Sequence, residues 1–76
     1  MEEINLFDLV ALLADLPEHN LRRGAVGTVV ERFEAAEHHP SGWIVEFVSP
    51  DGGEYIEADI ADPAQIMKLH FMRLAA

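Results

Sequence analysis

Turn signals recur along this chain at Leu16-Pro17, Arg23-Gly24, His39-Pro40, Pro50-Asp51-Gly52-Gly53 and Asp62-Pro63, a spacing of about ten residues that suits short strands. The runs between them are rich in β-branched and aromatic residues. That combination predicts a mainly all-β fold, because long helices have no room to form and β-branched side chains pack well on a pleated surface. The 76 residues hold one domain, and a chain of this size buries only about 60% of the surface it exposes when unfolded. A deep catalytic cleft is hard to line with what is left. No repeat, low-complexity run or linker divides residues 1–76, and residues 70–76 read as an extended tail.

The segment "LFDLVALLADL" carries helical and extended features together, but Leu16 precedes Pro17 and is driven to an extended backbone. A strand over about Asp8 to Ala14 follows, since a barrel needs it to pair with the last strand and cover an edge. "LPEHNLRRG" is an excursion loop, with Gly24 free to take the positive φ that a tight reversal requires. A second strand spans Val26 to Phe33, with Gly27 at a bend or bulge and Val29, Val30 and Phe33 contributing apolar bulk. Because Val29 and Val30 are adjacent, the register of residues 26–33 stays open in the sequence.

"EAAEHHPSG" is a polar loop, and "WIVEFV" a third strand with Trp43, Val45 and Phe47 on one face. Gly52 sits in the hairpin turn "SPDGG". In the fourth strand, "EYIEADI", Ile56, Ala58 and Ile60 take one side and Tyr55, Glu57 and Asp59 the other. "ADPAQI" is a short helical turn with Asp62 as cap and Pro63 in the first position. "MKLHFMRL" is a last strand or a helical tail. This order of elements is that of a small SH3-like β-barrel of about five strands, with a short helical turn before the last one.

Fourteen Asp and Glu against five Lys and Arg give a formal net charge of −9. Affinity for nucleic acid and for anionic membranes depends on cations, so the balance speaks against both. It favours a protein partner carrying basic groups. No cysteine is present, which removes disulfides, thiolate metal sites and a cysteine nucleophile and suits a reducing cytoplasm. The apolar stretch from Leu9 to Ala14 follows acidic rather than basic residues, and it is far shorter than the roughly 20 residues that span a bilayer. The expected setting is soluble and cytoplasmic.

"RRGAVGTVVE" admits three readings. A phosphate-binding loop would need Gly-Lys-Ser/Thr opening a helix, whereas here the second glycine opens a β-branched run. A nucleic-acid grip through Arg22 and Arg23 would have two charges amid many acids. The glycines are better read as permitting the turn and twist after the excursion loop.

From "LVALLADLPEHNLRRGAVGTVVERFE" onward through "WIVEFVSPDGGEYIEADI", about Leu6 to Leu69, the chain resembles the bacterial domain of unknown function 4926 family. The resemblance rests on the Asp-Leu-Pro step, then Leu-Arg-Arg-Gly, then Gly-Thr-Val. It implies an SH3-like fold and no assigned activity. Some members lie beside toxin-like proteins, which implies an antitoxin or immunity role as an alternative. The loop around "AEHHPSG" and the tail "HFMRLAA" depart from the family pattern.

Other constellations are weaker. Glu37, His38 and His39 are candidate ligands for Zn²⁺ or Ni²⁺, but adjacent histidines before a proline point apart on an extended chain. Glu46, Glu57 and Asp59 lack the enclosed pocket that would separate their pKa values for catalysis, and read instead as an acidic docking face. Ser41 and Ser49 sit in turns and form no triad. Trp43 and Tyr55 would either line an aromatic groove for a peptide or serve packing. Met67, Phe71 and Met72, with Ile66, Leu69 and Leu74, carry more apolar surface than one edge strand uses, as a self-association or partner surface would. The function expected is thus a non-catalytic protein-protein interaction or regulatory module without cofactor, as a homodimer or with another protein; weak metal binding is the other alternative.

Overall fold

The computed structural model describes residues 2–70. Five strands, β1 Leu9–Leu12, β2 Val26–Phe33, β3 Gly42–Val48, β4 Tyr55–Ile60 and β5 Ile66–Lys68, make one antiparallel sheet in the order β4-β3-β2-β1-β5. Among the described residues the only helical pieces are two 3-10 turns, Pro17–His19 and Pro63–Gln65. This is the mainly β architecture expected, and its strand order is compatible with a barrel.

One face of the sheet supplies the core. Val10 and Leu12 of β1, Val29 of β2, Val45 and Phe47 of β3, Ala58 and Ile60 of β4 and Ile66 of β5 are all buried in a single cluster. A flat sheet has nothing to cover such a face, so burying residues from both edge strands together requires it to curl. Leu16 and Leu21 pair across the neck of the excursion loop and close the cluster from one side. Ile4 closes it from another, a contribution the sequence did not announce.

Several expectations change in detail. β1 stops at Leu12, short of Ala14, because the chain turns into the loop there; only the Leu13 N–H goes on, to the Gln65 carbonyl at 2.7 Å. β5 begins at Ile66, directly after the 3-10 turn. The Leu69 N–H extends its pairing to the Leu9 carbonyl. The question of strand against helical tail beyond residue 70 lies outside the described residues.

The bulge in β2 is at Val30 and not at Gly27. Val29 stands opposite Val45 and Glu31 opposite Ile44, so Val30 is the extra residue between two successive partners. Its half-buried position resolves the two adjacent valines: Val29 fills the core, and the bulge sets Val30 aside. Gly27 lies in regular pairing with Phe47, where a Cβ would come within 2.8 Å of the Glu46 carbonyl oxygen and 2.7 Å of Val45 Cγ1. Its role is close approach. Gly24 and Gly52 do take positive φ, +92° and +76°.

The β3–β4 turn is held by side chains. Asp51 Oδ1 accepts from Ser49 Oγ at 2.6 Å and from the Gly53 N–H at 2.9 Å, while Ser49 Oγ accepts from the Glu54 N–H. These bonds, the serine's foremost, hold the Asp51 carboxyl below the usual aspartate range. Asp62 caps the second 3-10 turn as its position suggests, accepting from the Ala64 N–H at 2.9 Å.

Candidate functional site

Strand parity divides the expected site residues. Trp43 lies on the core side at one end of β3, opposite Ile60, whereas Tyr55 lies on the outer side at the far end of the β3–β4 pair, opposite Val48. The two aromatics therefore form no common groove. Trp43 is half-buried against the core, and its Nε1–H donates to the Ile4 carbonyl at 3.0 Å. It fastens the N-terminal segment across that end of the sheet.

Arg32 reinforces the same closure by donating to Glu3 Oε1 at 2.9 Å and Asn5 Oδ1 at 2.7 Å. Lys68 lies 3.2 Å from Asp8 Oδ2. The Asp8 carboxyl also accepts from the Asn5 N–H at 2.7 Å, and that bond, with the lysine adding to it, lowers its pKa. The Asn5–Asp8 turn holds Phe7 at φ 69°, a conformation that strains a bulky residue. Both described cations at this end are thus committed to structure.

Glu46, Glu57 and Asp59 do come together. Glu46 stands directly opposite Glu57, and Asp59 lies one step along, opposite Ile44. Like charges in direct cross-strand opposition destabilise a sheet. Among the described residues neither Glu46, Glu57 nor Asp59 has a cationic partner.

An apolar row runs beside these carboxylates. Met67 pairs with Ala11 and Ala11 with Val26 across β5, β1 and β2, while Val48 pairs with Tyr55 across β3 and β4. Val26 and Val48 each lie one step beyond the Gly27–Phe47 pair, so the two halves meet in one line over five strands. Met67, Val26, Val48 and Tyr55 are each between 46% and 74% exposed. Val26 and Val48 were missed in the sequence, although the signal was there: with Val45 and Phe47 inward, Val48 must point out.

At the end of the sheet beyond this row, the β1–β2 loop meets the β3–β4 hairpin around a depression of about 490 Å³, lined by Asn20, Arg22, Arg23, Ala25, Val48 and Pro50 among others. The loop is built, with the Arg23 N–H on Asp15 Oδ1 at 2.8 Å, the Gly24 N–H on the Leu12 carbonyl and Asn20 in the left-handed region. Neither guanidinium has a carboxylate within ion-pair distance among the described residues.

The histidine loop goes another way. Ala36 and His39 bridge each other, leaving Glu37 and His38 at the tip of a tight turn. His39 Nδ1 is 2.7 Å from the Pro40 carbonyl and its ring meets Phe33 edge-on at 4.6 Å. Among the described residues no three His, Asp or Glu side chains are grouped so as to hold a metal ion. Phe71 and Met72 lie outside the described residues. No helix among them is long and apolar enough to cross a membrane.

A small curled antiparallel sheet with an acidic and apolar outer face is the class of domain these features define. The chain belongs to the family described as Domain of unknown function (DUF4926), whose sequence profile matches residues 6–67. No curated protein and no solved structure matches it.

Proposed function

We propose that this protein is a non-catalytic interaction module whose outer sheet face docks a protein partner through cationic groups set beside an apolar strip. The observation that carries the reading is the Glu46–Glu57 opposition. Two carboxylates held face to face, with no counter-ion among the described residues, cost stability, and a partner's Lys or Arg placed between them removes that cost. The row of Val26, Val48, Tyr55 and Met67 supplies the desolvated contact that charges alone do not. The cysteine-free composition suits a partner met in the reducing cytoplasm.

The test is affinity capture from native extract with the wild-type chain and with Glu46→Lys plus Glu57→Lys, each checked for fold by circular dichroism. The expected result is a partner held by the wild type at low salt, released at high salt and lost from the variant. A partner held equally by both chains would overturn the reading.

A further inference from the structure

The acidic face ends at an open sheet edge. The strand order puts β4 at one margin, paired with β3 alone. The Ser49 N–H donates to the Glu54 carbonyl, which marks residues 49 and 54 as a hydrogen-bonded pair. In an antiparallel ladder such pairs alternate with pairs that are not bonded to each other. Ile56, Ala58 and Ile60 therefore bond to β3, and Tyr55, Glu57 and Asp59 turn their N–H and C=O groups away from it. Among the described residues no backbone or side-chain group meets those six. The same three residues carry their side chains on the outer face, each of them exposed. The other margin, β5, is three residues long and offers far less.

Resting on the docking reading above, we infer that the partner adds an extended strand to the β4 edge, antiparallel to it, with Lys or Arg opposite Asp59 and Glu57 and an apolar residue opposite Tyr55. Strand addition draws affinity from main-chain hydrogen bonds and specificity from alternate side chains. Tyr55, Glu57 and Asp59 each have one donor and one acceptor to give. Side chains directly opposite on adjacent strands stand about 5 Å apart, so the added cations meet Glu57 and Asp59, and the one at Glu57 relieves its opposition to Glu46. Residues between the cations face the inner side, where half-buried Ile56 lies at the margin of the core. The recognised segment thus reads cation, small or apolar, cation, small or apolar, apolar. The charges also say which strand is refused. A second copy of β4 laid antiparallel on the first sets carboxylate against carboxylate, whether Glu57 meets itself or Asp59, and like charges in opposition disfavour the pair. Charge on an edge strand is a common block to self-pairing. This edge rejects its own copy and accepts a cationic strand.

The test uses the full chain with a soluble synthetic peptide of that pattern, and a second peptide of the same composition whose lysines are adjacent. Binding is followed by titration and by amide hydrogen exchange. At saturation the alternating peptide is expected to slow exchange about tenfold at the Tyr55, Glu57 and Asp59 amides, with little change at Ile56 and Ala58, which already bond to β3. The peptide with adjacent lysines is expected to bind about fivefold more weakly, since only one of its cations can face the carboxylates. Tyr55→Pro removes one outward N–H at the start of an edge strand, where proline is tolerated. It is expected to weaken binding about fivefold beyond Tyr55→Ala, which loses the same ring but keeps that donor. Circular dichroism checks the fold of both variants, and the exchange result on the wild type does not depend on them. No binding of the alternating peptide, binding without protection at the three amides, or equal binding by Tyr55→Pro and Tyr55→Ala would overturn the inference. If it falls while Glu46→Lys plus Glu57→Lys still releases a captured partner, the docking reading stands without strand addition.

Discussion

The two ends of the sheet use the same kinds of residue for different ends. At one, Arg32 and Lys68 are tied to Glu3, Asn5 and Asp8, Trp43 is bonded to the Ile4 backbone, and Ile4 is buried. At the other, Arg22 and Arg23 flank an open depression and their guanidinium groups lie within ion-pair distance of no carboxylate among the described residues. An arginine in an acidic chain is thus not automatically a surface counter-ion. What decides is whether another segment of the same chain reaches it.

The sharpest way to break this contrast is at the closed end. Ile4→Ala removes a buried side chain and is expected to cost about 2–5 kcal/mol, read as a shift in the urea midpoint. A loss below half a kcal/mol would mean the N-terminal segment is not a working part of the core. Trp43→Phe keeps most of the ring but leaves the Ile4 carbonyl without its donor, and a cost of about 1 kcal/mol is expected from the same measurement. Stability unchanged by this substitution would show that water replaces the indole at no loss.

A smaller effect follows from Asp8. Its folded pKa is lowered, first by the Asn5 N–H and then by Lys68, so its contribution is present at neutral pH. That contribution is lost as the pH falls below the ordinary aspartate value of about 3.9 and through the lower folded value. Asp8→Asn is expected to flatten the acid limb of the stability profile measured by denaturation at a series of pH values. An unchanged limb would assign it to other carboxylates such as Asp51, whose pKa is lowered by Ser49 and Gly53.

The least effect on folding is expected at the open end. Arg22→Ala plus Arg23→Ala is expected to change stability by no more than about 0.5 kcal/mol, read from the same urea midpoint. A large loss of stability would make these arginines structural after all and erase the contrast.

Much of the fold was legible because its signals are local. β2 runs from Val26 to Phe33 as its β-branched content indicates, Asp62 caps the turn before β5, and Gly24 and Gly52 take the positive φ their turns demand. The inward face of β3 and β4 follows from alternation alone. The bulge at Val30 was not legible, since two adjacent valines fit either parity until Val45 and Ile44 are seen taking consecutive partners around it. Of the site, the outward parity of Glu57, Asp59 and Tyr55 and the inward parity of Trp43 could be read, but not that the Trp43 indole N–H would be taken by the Ile4 carbonyl, because Ile4 is distant in sequence.

By itself, then, the sequence determined the set of strands, their turns, and an acidic balance with no cysteine; these depend on each residue's own backbone preference and charge. Only the tertiary structure decided that Glu46 faces Glu57, that Val26, Val48, Tyr55 and Met67 join in one row, and that Arg32 forms ion pairs with Glu3 and Glu34. Those outcomes depend on register and on which distant segments meet, and register is fixed by packing the whole core face at once.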